Sequence, residues 1–369
     1  MKLSIAKDAM LVGLQAVQNV VGSRSSLPIL SNVLLRATGT TLELTATDLD
    51  LTITSQVTAT VVKPGATTLP VRRLFSICRE LTNLELELES DDKHLATLTS
   101  GNSYYRINGL PPDEFPAIPQ LTEKKDIVLP QERLRSMMKR TAYAMSTDES
   151  RYVLNGLFFN LKEHKLTLVA TDGRRLALVE EDVDVPPGSE GEFIVPSKTV
   201  TELGRLLTGA GEVDLRYTEN QAAFRLQCEG QPEVRIVTKL VEGAYPNYRQ
   251  VIPTDSKERI RVVREELLQA LRRAEIMTSE KSNSVKLTFS KNNLAITANT
   301  PEVGEARESL AINYKGPDLQ IAFNPAYVMD PLRALEVEEV TLDLNDELSP
   351  GVLRTEAQFL YVIMPMRVS

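Results

Sequence analysis

Apolar and polar positions alternate along LELTATDLDLTI (42–53), KLTLVATDGRRLALVEE (165–181) and AAFRLQCEG (222–230), with turn residues between the runs. A period of two belongs to strands with one buried face, so these stretches predict antiparallel sheet. Elsewhere the period changes. After the strand-like runs ATTLP, EFIVP and QIAFN, apolar residues recur at three- and four-residue steps, the spacing of an amphipathic helix. Counting from Pro70, Pro196 and Asn324 as zero, positions four, seven and eleven are Leu74, Ile77, Leu81; Val200, Leu203, Leu207; and Val328, Pro331, Leu335. At about 100° per residue they share one stripe, the face predicted to be buried. Pro70 and Pro196 suit a first helical turn, and Asn324-Pro325 reads as an N-cap followed by proline at the first helical position. Further helices are predicted at about 7–21, 131–145 and 264–277; Leu134, Met138, Thr141 and Met145 mark the buried side of the second, and Leu267, Leu268 and Leu271 that of the third.

The pattern comes in three copies. LPILSNVLLRATGTTLELTATDLDLTI (from Leu27), YVLNGLFFNLKEHKLTLVATDGRRLALVE (from Tyr152) and SNSVKLTFSKNNLAITANTPEVGEARE (from Ser282) share one arrangement of strand, turn and strand. The helix-starting positions 70, 196 and 324 lie 126 and 128 residues apart. Solenoid repeats run about 20 to 50 residues, so the repeated object is a whole domain. The expectation is an α+β chain of three domains, 1–124, 125–253 and 254–369, each with two helices packed on antiparallel sheets.

No run of apolar residues approaches the ~20 of a membrane span, and MKLSIAKDAM lacks a signal-peptide core, so a cytoplasmic protein with no membrane partner is expected. Cys78 and Cys228 have no metal-ligand spacing around them and read as small packing residues of a reducing compartment. The net charge of −8 describes a soluble acidic protein and hides where the cations sit. Position nine of the repeated helix is Arg79, Arg205 and Arg333, roughly opposite the apolar stripe; position two, on the same outer line, is Arg72, Lys198 and Ala326. One exposed arginine is ordinary. The same offset in three copies describes a regular cationic array, suited to a polyanion contacted through its phosphates. The other helices add Arg133, Arg135, Lys139, Arg140 and Arg273, with Gln15 in the equivalent place of the first. The acids gather at 84–92, 180–184 and 335–347.

A chain of sheet domains exposes strand edges at its two ends. Tyr104, Tyr105 and Ile107 form an apolar edge near the end of the first copy, with Ile276 and Met277 of the third as candidates to meet them. Head-to-tail pairing across a two-fold axis closes a homodimeric six-domain ring and removes both edges. Arg72, Arg73 or Arg106 of one protomer facing Glu302, Glu305 or Glu308 of the other gives candidate ion pairs, with Arg307 interrupting the acidic run. Catalysis is not expected. His94 and His164 lack partner clusters, and no phosphate-binding loop, HExxH motif or nucleophile with a visible base is present. Asp48, Asp50 and Asp172 are candidates for a metal-dependent hydrolase, but Asp48 and Asp172 recur as turn residues of two copies, and no metal or cofactor is expected.

LPILSN (27–32), LTATDLDL (44–51), GATTLPVRRLFSICREL (65–81), RYVLNG (151–156), VATDGRRLA (169–177), FIVPSK (193–198), YPNYRQVIP (245–253) and YVIMPMR (361–367), in this order and spacing, resemble the bacterial DNA polymerase III beta-subunit family of sliding clamps over essentially the full length. The resemblance implies a ring with helices lining a pore around double-stranded DNA, contacted without regard to sequence. It implies no catalytic activity and a tethering role for the replicative polymerase. DNA contacts are then expected at Arg24, Arg73, Arg79, Arg151, Tyr152, Lys198, Arg205 and Arg333; Tyr152-Val153 stands where the best-known relatives carry two aromatics. The resemblance also implies a hydrophobic cleft for short peptide motifs, lined by Leu154, Thr171, Gly173, Arg174, Arg175, Leu176, Pro246, Val251, Leu348, Val362, Ile363, Met364, Pro365 and Met366. The flexible, polarizable methionines suit a surface shared by several partners. Those implied are the DNA polymerase III alpha subunit and other polymerases, the clamp loader through its delta subunit, and repair and ligation proteins. Arg174 stands where some relatives have histidine, and Gln250 where some have arginine. Asp172-Gly173 is first a tight turn, which also presents Arg174 and Arg175 at the cleft.

Overall fold

The structure is a computed structural model that describes residues 1–22, 27–119, 121, 125–280, 282–356 and 358–367. Its contacts divide the chain into two compact units. One comprises 1–135, 184–190 and 198–241, the other 136–183, 191–197 and 242–369, so each takes part of the middle copy. Among the described residues, each unit holds one eight-stranded antiparallel sheet and one smaller one.

Both large sheets cross a copy boundary. In the first unit, Leu51–Thr58 of the first copy pairs with Val234–Lys239 of the middle copy, Ile53 opposite Ile236. In the second, Arg175–Asp182 of the middle copy pairs with Phe359–Ile363 of the third, Leu176 opposite Val362. The repeat makes Gly304–Ala311 the counterpart of Leu51–Thr58 and Arg175–Asp182, and Ser103–Asn108 the counterpart of Val234–Lys239 and Phe359–Ile363. Ser103–Asn108 ends the five-stranded sheet and Gly304–Ala311 ends the four-stranded one.

Six α-helices are described: α1 (Lys7–Val17), α2 (Val71–Glu80), α3 (Gln131–Thr141), α4 (Ser197–Leu206), α5 (Arg264–Glu275) and α6 (Pro325–Ala334). The first-helix ends expected at 21, 145 and 277 lie beyond the α-helical limits; α1 and α3 pass into short 3₁₀ turns, Gln18–Val20 and Ala142–Ala144. Pro70 and Pro196 close the preceding strands rather than opening the helices, and Pro70 is the N-cap of α2. Asn324 caps α6 as expected, accepting from the Ala326 N–H at 3.0 Å. The buried side of α2 is Val71, Leu74 and Cys78, with Ile77 half-buried. Gly13 lets α1 lie close on the sheet: a Cβ there would stand 2.8 Å from Leu44 and 3.1 Å from Val57.

One device ties each first helix to the end of the second with three different side chains. Lys7 donates from Nζ to the Arg79 and Leu81 carbonyls at the end of α2. Arg264 donates to Leu332 and Val337 at 2.8 and 2.9 Å, at the end of α6. Gln131, buried, accepts from the Thr208 N–H at 3.0 Å and donates to the Glu212 and Gln227 carbonyls at 3.2 and 3.1 Å. Helix C-termini leave unpaired carbonyls, and each device supplies donors or acceptors there. Among the described residues no helix is long and apolar enough to cross a membrane.

Candidate docking cleft and nucleic-acid interface

The strand Phe359–Ile363 brings the chain's last apolar segment beside the turn at 171–175. Arg175 lies opposite Ile363, and the Met364 N–H donates to the Arg174 carbonyl at 2.9 Å. Gly173 holds a φ of 84°, a conformation glycine takes without strain. The Asp172 carboxylate accepts from the Arg174 and Arg175 N–H groups at 2.8 and 3.1 Å, and the Thr171 hydroxyl donates to the Arg175 carbonyl at 2.6 Å. Leu154, Leu176, Val362 and Ile363 are buried in the fold, while Met364 (44 %) and Met366 (38 %) emerge from it. Leu348, also exposed, shares with Met366 a depression of about 530 Å³ whose wall includes Lys286, Gln320 and Arg367. These three were missed in the sequence because they belong to different strands and to the tail, and no local pattern joins them.

Pro246 and Val251 are exposed on a segment anchored by aromatics. Tyr245 stacks on Phe158 with ring centroids 4.6 Å apart, and Tyr248 meets the same ring edge-on at 6.1 Å. Burial raises the Tyr245 phenol above its ordinary pKa, so it remains a neutral ring in the wall. Arg174 is exposed at the turn. Arg175 is not: its side chain is 10 % exposed, its guanidinium pairs with Asp172 at 3.0 Å and Asp330 at 2.5 Å, donates to the Tyr143 carbonyl at 2.5 Å, and lies 4.4 Å from the Tyr327 ring centroid. Paired acceptors and a ring face beneath the turn outcompete solvent for the Arg175 guanidinium.

Arg151 and Tyr152 sit in the 3₁₀ stretch Glu149–Leu154, with Arg151 at a kink where the backbone is not helical. Arg151 donates to the Asp172 carbonyl at 3.0 Å, which brings it to the same turn, and Tyr152 is exposed. The position-nine arginines are solvent-facing in all three copies, and each has a carboxylate partner on its own helix: Arg79 with Glu80 at 3.0 Å, Arg205 with Glu202 at 2.6 Å, Arg333 with Asp330 at 3.3 Å. Lys198 pairs with Asp48 at 2.5 Å and donates to the Val20 carbonyl, and Arg72 donates to the Val21 carbonyl. Arg73 is exposed; Arg24 lies outside the described residues. Arg140, expected among the flanking cations, is half-buried against Glu181 at 2.9 Å.

At the chain's free edges Tyr104, Tyr105 and Arg106 are exposed, as are Glu302, Glu305 and Ile276, the last at 74 %; Met277 is half-buried. Two expectations change. Ile107 is only 4 % exposed and is covered within its own chain, although Tyr105 on the same face of the strand is 37 % exposed. Glu308 is taken within its own chain by Arg273 at 2.6 Å, a pairing that holds its carboxyl below the ordinary pKa. No group of His, Cys, Asp or Glu that could hold a metal occurs among the described residues. Asp48 and Asp172 serve as turn acceptors, and His94 and His164 occupy positive-φ turn positions.

Three family models cover the chain in sequence order: the DNA polymerase III beta subunit N-terminal domain at 1–119, its central domain at 128–247 and its C-terminal domain at 249–367. The chain is 36 % identical over 368 residues to the beta sliding clamp of Chlamydia muridarum, covering 100 % of this chain and 99 % of that one. It is 36 % identical over 372 residues to the beta sliding clamp of Escherichia coli, covering 100 % of both. The solved DNA polymerase III subunit beta from Pseudomonas aeruginosa superposes with a TM-score of 0.93 at 34 % identity, and the DNA polymerase sliding clamp from Bacillus subtilis with 0.94 at 31 %, each covering 100 % of both chains. With its three-fold repeat, cross-boundary sheets and full-length matches, the chain belongs to the DNA polymerase III beta-subunit family, as a sliding clamp of three DNA clamp domains and a processivity subunit with no catalysis of its own.

Proposed function

We propose that two copies of this chain close head to tail into a ring around duplex DNA, and that the exposed apolar surface near the C-terminus tethers polymerases and other partners to it. The observation that carries this reading is the sheet register. Twice within the chain the fourth strand of one copy pairs with the last strand of the next, as Leu51–Thr58 with Val234–Lys239 and Arg175–Asp182 with Phe359–Ile363. The third such pair, Gly304–Ala311 and Ser103–Asn108, is left with two outer edges. A two-fold axis pairs them between protomers and repeats one interface type around a closed ring. Tyr105 and Ile276 supply apolar contact across it, and Arg106 faces Glu302 and Glu305.

Arg73, Arg79, Arg205, Arg333, Lys198, Arg151 and Tyr152, with Arg24, are the proposed DNA contacts. The intrahelical acid partners of Arg79, Arg205 and Arg333 suit weak, sequence-blind contact, since a phosphate must compete there with a carboxylate already present. The docking cleft takes short peptide motifs of the DNA polymerase III alpha subunit, other polymerases, the clamp loader's delta subunit, and repair and ligation proteins. The domain boundaries are placed at 124/125 and 253/254, and the site of action is the cytoplasm, at the nucleoid.

The test is retention on nicked circular against linearised DNA after loading by the clamp loader, at moderate salt. Retention on circles with loss from free ends is the expected result. Equal behaviour on both forms would refute topological linkage and leave a peptide-binding scaffold.

A further inference from the structure

The turn that carries Arg174 and the outer line of α6 share one carboxylate. Asp330 accepts from Arg175 through Oδ2 at 2.5 Å and from Arg333 through Oδ1 at 3.3 Å. Arg175 donates from Nε to Asp172 Oδ2 at 3.0 Å, while Asp172 Oδ1 holds the Arg174 and Arg175 N–H groups. Four charges of alternating sign, Asp172, Arg175, Asp330 and Arg333, thus run from the docking turn to the helix surface. The two ends differ in freedom. Arg175 is locked by the Tyr143 carbonyl and the Tyr327 ring. Arg333 is 43 % exposed and, among the described residues, also donates to the weak acceptor Met329 Sδ at 3.7 Å.

We propose that Asp330 and Arg175 are positioning residues of the docking turn, and that a DNA phosphate engaging Arg333 tightens that turn. The proposal rests on the reading above, in which α6 meets DNA and the turn borders the cleft. A phosphate competes with Asp330 for the exposed guanidinium and cannot reach the locked one. Once Arg333 is drawn away, the Asp330 carboxylate acts on Arg175 alone, where partial burial weakens solvent screening. Arg175 then holds Asp172, and through it the backbone of the turn, in fewer arrangements. A pre-ordered turn loses less entropy when a peptide docks. The coupling is reciprocal, so a docked peptide favours the state in which Arg333 is free for DNA.

The measurement is hydrogen–deuterium exchange of the amides at 172–175 and of Met364 in the dimeric full chain, with and without a short duplex at low salt. Anisotropy of the labelled duplex reports binding in the same samples. Duplex binding is expected to slow exchange at 172–175 by about two- to fivefold, the scale of a partly exposed ion pair. Arg333→Gln is expected to show that slowing without DNA, and no further change with it. Asp330→Asn is expected to speed exchange and abolish the response to DNA. Unchanged exchange in the native chain while the duplex is bound, or native exchange in DNA-free Arg333→Gln, overturns the proposal. Failure of the duplex to bind at all overturns the DNA reading instead, and the DNA-free variants still decide whether Asp330 and Arg175 position the turn.

Discussion

The Tyr361 hydroxyl donates to the Tyr327 carbonyl at 2.7 Å. Pro331 sits four residues after Tyr327 inside α6 and has no N–H, so that carbonyl loses its helical donor and takes one from the neighbouring sheet. Tyr361→Phe keeps the ring and strands the acceptor, and is predicted to cost about 1–3 kcal/mol in denaturant titrations. Burial, opposed in part by Arg175, holds the phenol above its ordinary pKa. The contribution is therefore present in full below about pH 10, the unfolded value, and is lost as pH rises through the folded value. A native chain no more alkali-sensitive than Tyr361→Phe would contradict this.

Gln131 is predicted to be the most sensitive of the three helix ties. It is buried and uses both ends of its amide, whereas Lys7 and Arg264 cap with charges that water partly reaches. Gln131→Ala leaves the Thr208 N–H and the Glu212 and Gln227 carbonyls without their partner, at a cost of about 2–4 kcal/mol. Thermal unfolding checks it; a shift as small as that of a surface substitution would contradict the buried-partner account.

The serine triple variant Arg79→Ser, Arg205→Ser, Arg333→Ser is predicted to lower the slope of log affinity against log salt by about 2 to 3, one lost phosphate contact per arginine, with little change in melting temperature. An unaltered slope would remove these side chains from the interface.

The docking surface is predicted to depend on side chains laid over a backbone the chain uses twice. The Lys239 N–H donates to the Asp50 carbonyl at 2.8 Å, as the Met364 N–H does to Arg174, but Lys239 also pairs with the Asp50 carboxylate at 2.9 Å and offers no apolar surface. Met364→Lys should weaken a polymerase-derived peptide at least tenfold, about 1.4 kcal/mol, without altering the melting temperature. Isothermal titration with the native and variant dimers decides it.

Burial pushes the Cys78 thiol up to about 12, whereas Cys228 is half-buried. A thiol reagent at mildly alkaline pH should label Cys228 readily and Cys78 only at the rate of unfolding. Equal labelling of both in the native chain would place Cys78 on a mobile element.

Much of this was legible in the chain itself. Local periodicity marked the strands and helices, because a half-buried strand and an amphipathic helix each impose their own spacing on apolar residues. The exposed offset of Arg79, Arg205 and Arg333 followed from helical geometry alone, and the copying of whole segments disclosed three domains. Helix ends were overrun because α1 and α3 pass directly into 3₁₀ turns, where buried apolar residues such as Val20 and Ala144 carry the pattern past the last α-helical residue.

What only the tertiary structure decided is which copy completes which sheet, and where each cation spends its charge. Arg174 and Arg175 are neighbours in sequence, yet one faces water and the other is locked between Asp172, Asp330 and Tyr327. Ile107 reads as an edge residue and is core; Glu308 reads as a partner for another protomer and is held by Arg273. Periodicity records only whether a position is buried in its own element. Burial and pairing contributed by segments a hundred residues away leave no local trace, and those contacts divide the chain into folded framework and free surface.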